Sequence, residues 1–257
     1  LNRTTPHKEN SMSDAPAPSP EKKRAFDTYE LLVTSTEEIT PKNRHIRFDL
    51  QGGKTLHFKA GQFAQIFVPH DGKIRRTSYS IASSPQHTDY FELCVTLVDG
   101  GVSSTFLHKL RPGDKVQAMA PLGTFTLKDE TRDMVFISTG SGVAPFRSMI
   151  QDQLAKGTRK NLYLIYGHRY EPDLLYRAEW EATMKSHSNF KVLFTLSRDT
   201  AWKGERGYVQ EKIEKFVPGV KEKNYFICGL NNMITAVNDR LLSLGVPKEQ
   251  IHFERYD

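Results

Sequence analysis

Near Asp133 the chain changes its rhythm, and this change constrains the fold more than any other feature of the sequence. Upstream, from Phe26 to about Leu127, short strand-like runs follow one another: Tyr29–Thr34, Arg44–Leu50, Phe63–Val68, Ser78–Ala82, Tyr90–Val98 and Lys115–Met119. Gly52-Gly53, Asp71-Gly72 and Pro112-Gly113-Asp114 separate them, and such residues mark chain reversals. One short helix is expected at Ser103–Leu110. Many short strands with a single helix predict a small antiparallel β-barrel.

Downstream, apolar runs of strand length alternate with longer amphipathic segments. The strands are Met134–Ser138, Leu162–Tyr166, Lys191–Leu196, Tyr225–Cys228 and Ile251–Glu254. The helices are Val143–Lys156, Asp173–Ser186, Val209–Phe216 and Asn232–Leu244. Strand–helix alternation predicts an α/β unit, a parallel sheet with helices on both faces. The boundary falls around residues 128–133. Residues 1–25, rich in Pro, Ser, Lys and Glu, read as a disordered tail in which Met12 is a candidate natural start.

A chain of 257 residues accommodates two domains of ordinary size. No apolar stretch approaches the ~20 residues that span a bilayer, and no apolar signal core opens the chain. A cytoplasmic location without membrane insertion is expected. The only cysteines are Cys94 and Cys228. Two thiols make neither a disulfide framework nor an all-cysteine iron–sulfur cluster, which takes four. Any single-electron carrier beyond this chain is therefore expected to be a separate protein. The nine histidines are scattered without ligand spacing, so no metal site is expected.

The net charge is +6; residues 1–24 contribute +2 from five basic and three acidic side chains, leaving +4 for the remainder. A mildly basic surface suits an acidic partner or a phosphorylated cofactor. No concentrated basic stripe or nucleic-acid motif accompanies it, so a nucleic-acid role is not expected.

Three segments carry the chemistry: Arg76-Thr77-Ser78-Tyr79-Ser80, Thr139-Gly140-Ser141-Gly142-Val143-Ala144-Pro145, and Cys228-Gly229-Leu230-Asn231-Asn232-Met233. The last two sit at carboxyl ends of parallel strands, where open α/β sheets bind ligands. Glycines between a strand and a helix let a phosphate approach the backbone, and the helix amides favour it. Pro145 near the first helical turn costs little. Together the segments resemble the flavin- and pyridine-nucleotide-binding signatures of the ferredoxin–NADP reductase family, across residues 26–256.

The resemblance implies an FAD-binding barrel over residues 26–130 and an NAD(P)-binding domain over residues 131–257. On the flavin side it assigns Tyr79 to stacking on the ring, Ser80 to the flavin N5, Ser83 to the same segment and Arg76 to the pyrophosphate. Here two residues separate Arg76 from Tyr79 where the family has one, so Arg76 must reach further or Arg75 takes part. Without the resemblance, the segment reads equally as an edge strand with a packed tyrosine. Gly101-Val102-Ser103-Ser104 matches a G-x-x-S turn whose amides and serine hydroxyl hold a pyrophosphate, which favours FAD over FMN.

On the nicotinamide side the resemblance assigns the nucleotide to Thr139, Gly140, Gly142 and Pro145. Cys228, Gly229 and Met233 line the nicotinamide pocket, with Cys228 beside C4; a buried structural thiol is the other reading. Ser197, Arg198, Arg206 and Tyr208 match residues that hold a 2′-phosphate and stack on adenine in NADP-using relatives. Cationic donors favour NADPH, while Asp199 keeps NADH open. Glu254 and Tyr256 match a terminal acid and an aromatic that covers the flavin, so the catalytic set is Ser80, Cys228, Glu254 and Tyr256.

The implied activity is hydride transfer between NADPH and FAD, and single-electron exchange with ferredoxin, flavodoxin or another one-electron carrier. A monomer is expected. The alternatives are an NADH-dependent reductase component of an oxygenase system and a redox-inactive nucleotide-sensing module.

Overall fold

The computed structural model describes Leu1 and residues 27–256. The expected disordered tail, with its candidate start at Met12, lies outside the described residues apart from Leu1.

Six strands form the first sheet: β1 (Thr28–Thr40), β2 (Asn43–Leu50), β3 (Phe63–His70), β4 (Lys73–Ser80), β5 (Tyr90–Thr96) and β6 (Lys115–Leu122). They lie in the order β4-β3-β6-β1-β2-β5, and every neighbouring pair is antiparallel. Their residues alternate inward and outward, with Leu31, Val33, Ile46, Phe48, Ala64, Ile66 and Val68 fully buried. Register shifts in β1 after Val33 and after Glu38 add curvature to its 13 residues. An antiparallel bridge between Ile81 and Leu93 joins the two ends of the sheet and closes the barrel. The segment after β4, including Ser80–Ser83, is thus the barrel's seam. Helix α1 (Val102–Lys109) follows β5.

The second sheet is parallel throughout: β7 (Met134–Thr139), β8 (Leu162–His168), β9 (Phe190–Leu196), the two-residue β10 (Glu205–Arg206), β11 (Asn224–Gly229) and β12 (Ile251–Arg255), in the order β10-β9-β8-β7-β11-β12. Strands β7, β8 and β11 are buried almost end to end, as two-sided coverage by helices requires. Helices α2 (Ala144–Ala155), α3 (Arg177–Ser186), α4 (Ile213–Phe216) and α5 (Asn231–Ser243) provide that cover. The chain leaves β7 first towards β8 and β9, then returns to place β11 on its other side. The strand order therefore reverses between β7 and β11, and a crevice opens at their carboxyl ends.

One apolar core runs across the junction. Ala60, Ala82, Cys94 and Phe125 from the barrel pack with Phe136, Phe146, Tyr166, Phe226 and Cys228 from the parallel sheet. The rings of Phe125 and Phe146 lie 6.1 Å apart, and those of Phe136 and Phe226 5.6 Å apart. Among the described residues no helix is long and apolar enough to cross a membrane.

Several elements differ from expectation. The strand expected at Ser78–Ala82 is Lys73–Ser80, because backbone pairing with β3 holds the run Lys73–Ser78, polar except for the exposed Ile74, in place without apolar alternation. The helix expected from Asp173 begins at Arg177, preceded by a 3₁₀ turn at Glu171–Asp173 and capped by Tyr176. Val209–Phe216 divides into a 3₁₀ turn and the single turn of α4. β10 lies in a stretch read as loop.

Candidate functional site

On the barrel side, the pairing of β4 with β3 continues without a bulge from Lys73 to Ser80. The pleat therefore puts Arg75, Thr77 and Tyr79 on one face and Arg76, Ser78 and Ser80 on the other. The Arg76 guanidinium rests 4.9 Å above the Phe67 ring, so on the Tyr79 face the basic residue is Arg75. This departs from the expectation that Arg76 works beside Tyr79, and the physical reason is the unbroken register. Burial pushes the Tyr79 hydroxyl up to about 12, so it stays neutral.

Thr77 reaches the Ser103 hydroxyl at 2.6 Å. The expected phosphate-holding hydroxyl, Ser104, is turned inward instead. It accepts from the Val98 amide at 3.1 Å, donates to the Gly101 carbonyl at 3.2 Å and is buried. In this turn Ser103 is the serine that faces β4. Ser83 is likewise committed to the seam, accepting from the Glu92 amide at 3.1 Å. Helix α1 begins at Gly101 with no side-chain cap and no acidic residue in its first turn, which leaves its amides and dipole to an anion.

On the parallel-sheet side, Thr139 ends β7 and Gly140–Val143 forms a 3₁₀ turn into α2, with Pro145 in the first helical turn. Gly140 has φ 55°, a left-handed conformation that favours glycine, and its outward side is open space. Gly142 is needed for a different reason: a β-carbon there would collide with the backbone of Cys228 and Gly229. The glycine turn and the end of β11 thus pack directly together. The buried Tyr166 hydroxyl donates to the Gly140 carbonyl at 3.1 Å and braces the turn from below. No acidic residue or side-chain cap occupies the start of α2. Met233, on α5, packs beside Gly229.

Residues from both sides meet at the crevice. The buried Ser80 hydroxyl donates to the Glu254 carboxylate at 3.3 Å, linking positions 174 residues apart. Cys228 is paired in register with Glu254, and the Tyr256 amide donates to the Gly229 carbonyl at 3.0 Å. Burial raises the Glu254 carboxyl to about 7, against the opposing pull of its Ser80 hydrogen bond. Burial and then Glu254 hold the Cys228 thiol well above its ordinary range, so it is protonated and no nucleophile. The Tyr256 ring is half-buried, and its enclosed hydroxyl lies against Ser80 and Cys228. The expected catalytic quartet is therefore assembled in one place.

Ser197, Arg198, Arg206 and Tyr208 cluster away from the crevice, beyond the carboxyl end of β9, and all are exposed. The Ser197 and Arg198 amides donate to the His168 and Arg169 carbonyls, the Ser197 hydroxyl also reaches the His168 carbonyl at 3.5 Å, and the Arg206 guanidinium donates to the Thr200 carbonyl. Asp199 is fully engaged: its carboxylate accepts from the amides of Glu171, Ala201 and Trp202 at 3.0–3.2 Å. These amide bonds, led by that from Glu171, lower its pKa and make it the brace of this loop.

A second group was not singled out by any motif. Arg147, on α2, donates to Glu92, Glu179 and the Ala82 carbonyl, and His45 lies 2.9 Å from the Tyr176 hydroxyl. Burial alone would raise the Glu92 carboxyl, but His45 and Arg147 bring it down to about 2. Its members come from β2, β5, α2 and α3, so no local spacing reveals them.

Residues 30–127 match the family model of the oxidoreductase FAD-binding domain, and residues 136–239 that of the oxidoreductase NAD-binding domain. Ferredoxin–NADP reductase B of Sorangium cellulosum (strain So ce56) is 35% identical over 240 residues, covering 90% of this chain and 98% of the relative. The DmpP reductase component of phenol 2-monooxygenase from Pseudomonas sp. (strain CF600) is 30% identical over 90% of this chain, which spans 66% of that relative's length. Among solved structures, the Amycolatopsis cytochrome P450 reductase GcoB matches with a TM-score of 0.81 at 26% identity, over 92% of this chain and 73% of that one. A ferredoxin NADP⁺ reductase from Neisseria gonorrhoeae with bound FAD and NADP has the same fold, with a TM-score of 0.79 at 21% identity over 89% and 98% of the two chains.

Proposed function

The chain belongs to the ferredoxin–NADP reductase family of FAD- and NAD(P)-binding oxidoreductases, and from that premise we propose that it exchanges hydride between NADPH and FAD and single electrons between FAD and a separate ferredoxin or flavodoxin. One observation carries the reading: Ser80 on the barrel seam meets Glu254 at the end of the parallel sheet, 3.3 Å away, with Cys228 and Tyr256 beside them. FAD, when bound, supplies the coupling between two-electron and one-electron chemistry.

The chain's residues fit that cofactor. Tyr79 offers an aromatic face, and its neutral hydroxyl carries no charge into the flavin site. Thr77, Ser103 and the uncapped start of α1 suit a pyrophosphate, with Arg75 on the same face of β4 as its cationic neighbour. The Tyr256 ring, with its hydroxyl against Ser80 and Cys228, offers a second aromatic face at the same place. The glycine turn and the start of α2 suit the phosphates of the second nucleotide.

Ser80 would offer its hydroxyl to the hydride-accepting nitrogen of a bound flavin, and Glu254 behind it would exchange the proton that this nitrogen loses or gains when electrons pass singly. Below about pH 7 the Glu254 carboxyl is neutral and holds a proton that Ser80 can relay; above it the proton is lost. Cys228, small and uncharged, shapes the pocket without reacting. Tyr256 would keep water from the face of a bound flavin ring and would have to move aside for a nicotinamide. Commitment of Asp199 to three backbone amides removes the carboxylate that a free ribose hydroxyl prefers, while Arg198 and Arg206 stay exposed for a 2′-phosphate.

The test is direct. The flavin released from purified protein is expected to be FAD, and oxidation of NADPH with ferricyanide is expected to exceed that of NADH. Release of FMN, or no flavin after reconstitution, refutes the reading. Preference for NADH together with tight binding to a hydroxylase component favours the second reading, a reductase component of an oxygenase system, the role that DmpP's name gives that relative.

A further inference from the structure

Arg147 lies at the centre of a buried circuit that joins the two halves of the crevice. It stands on α2, one turn after the Gly140–Val143 turn, and its side chain is 13% exposed. Nη1 donates to the Ala82 carbonyl at 3.0 Å and to Glu92 on β5 at 2.8 Å, and Nε donates to both oxygens of Glu179 on α3 at 2.9 Å. Ala82 lies between Ser80 and Ser83 on the barrel seam. The same seam is tied to Glu92 twice more, by the Ala82 amide on the Glu92 carbonyl at 2.8 Å and by Ser83 on the Glu92 amide.

The circuit closes through a second path. His45 on β2 lies 3.4 Å from Glu92 and 2.9 Å from the Tyr176 hydroxyl, and the Arg147 guanidinium sits 5.0 Å above the Tyr176 ring. Tyr176 adopts φ 57°, a conformation a tyrosine holds only when its surroundings demand it. A guanidinium enclosed between two carboxylates, a carbonyl and a ring has little freedom to move. A further polar link runs from Gln86, just past the seam, to Asp152 of α2 at 3.2 Å, but loss of Arg147 leaves the largely buried Glu92 short of its cation.

We propose that Arg147 is a positioning residue for hydride transfer, setting the glycine turn of the nucleotide domain at a fixed distance from the Ser80–Ser83 seam. The proposal rests on the reading of the crevice given above. The Arg147 guanidinium is occupied by Ala82, Glu92, Glu179 and the Tyr176 ring, so it acts through α2 on one side and through Ala82 and Glu92 on the other. Because near-attack geometry is steep in distance, a small slackening of this link costs rate without costing affinity.

Arg147→Met and Arg147→Lys provide the test, with equilibrium and kinetic readouts on the FAD-loaded protein and one on the flavin-free chain. In Arg147→Met, reduction of the flavin by NADPH is expected to fall at least about tenfold. The long-wavelength charge-transfer band at saturating NADP⁺ should weaken in parallel, with the NADP⁺ dissociation constant within about twofold of wild type. Arg147→Lys should recover part of both. Hydrogen exchange in the flavin-free variant should quicken at residues 80–84 and 140–150 together. Where Arg147→Met fails to fold, Glu92→Gln, which keeps shape and removes one charge, should show the same pattern more weakly. A band and a per-flavin rate within about twofold of wild type, whatever the melting temperature, overturn the proposal. So does exchange that quickens on only one side. If wild-type protein itself is not reduced by NADPH, the proposed function fails, and the exchange measurement still decides whether Arg147 couples the two segments.

Discussion

The two halves of the crevice are built differently. On the barrel side the hydroxyls are spent on the protein itself: Ser83 and Ser104 are buried and bonded to backbone, Ser80 to Glu254, and Thr77 to Ser103. On the parallel-sheet side, Ser197, Arg198, Arg206 and Tyr208 stand in solvent, Tyr208 at 62% exposure, and only Asp199 is firmly tied down. A preorganised cradle retains a resident cofactor by lowering the ordering cost of binding. An open basic surface captures and releases a ligand that must leave each cycle. Such a difference fits the proposed function, in which a cofactor stays on the rigid side and a nucleotide leaves the open side each cycle.

The sharpest way to break this comparison is at the meeting point. Ser80→Ala should lower flavin reduction by about 10²-fold, the range for a lost hydrogen-bond donor at the reacting atom, with flavin content preserved. Loss of flavin instead, with an unchanged rate per flavin, would make Ser80 a cradle residue only. Wild-type turnover that depends on the protonated Glu254 carboxyl should decline as pH rises through about 7, and Glu254→Gln should flatten that limb.

Next in size is the open side. Replacing Arg198 and Arg206 together by alanine removes two charged donors of ~1.5–3 kcal/mol each, discounted here for solvent exposure, so a rise in KM for NADPH of about 10–10²-fold is expected. KM for NADH should stay nearly unchanged. Equal losses with both nucleotides would show that these arginines support the fold.

A third probe asks whether the cradle is as fixed as its bonding implies. Tyr79→Ala should weaken FAD retention about tenfold through lost ring contact, measured by flavin release on dilution. Unchanged retention would leave Tyr79 as a barrel core ring, where it already packs.

The smaller effects sharpen the comparison at its edges. Tyr256→Ser should tighten NADP⁺ binding several-fold and strengthen the charge-transfer band, because the competing ring no longer has to be displaced. A lower melting temperature with unchanged affinity would make Tyr256 an anchor of β12. Asp199→Asn should leave the NADPH-to-NADH ratio within about twofold while lowering stability slightly, read by thermal melting; a swing towards NADPH would return Asp199 to the ribose.

Both sheets were legible in the sequence because their signals are local. A strand buried on one face alternates, a strand buried on both is apolar throughout, and a helix repeats every 3.6 residues. The weak points were equally physical. β4 is polar from Lys73 to Ser78 apart from the exposed Ile74 and exists because β3 pairs with it, and the two-residue β10 exists because β9 does. Among site residues, the quartet Ser80, Cys228, Glu254 and Tyr256 came from the family resemblance of its segments, and the fold brings its members together. Arg147 was not legible, since its partners lie 32, 55 and 65 residues away.

By itself the sequence determined the two-part architecture, the strand ends at which chemistry is placed and the residue types found there. These follow from periodicity, glycine punctuation and the rule that loops at carboxyl ends of parallel strands face a ligand. Only the tertiary structure decided which of several equivalent groups is free. It turned Ser104 inward and left Ser103 towards Thr77, put Arg75 on the Tyr79 face, and bound Asp199 to backbone while leaving Arg198 exposed. A side chain's type is written locally, but its hydrogen-bond partners come from segments brought together by packing, and a buried donor or acceptor takes whichever partner that packing supplies.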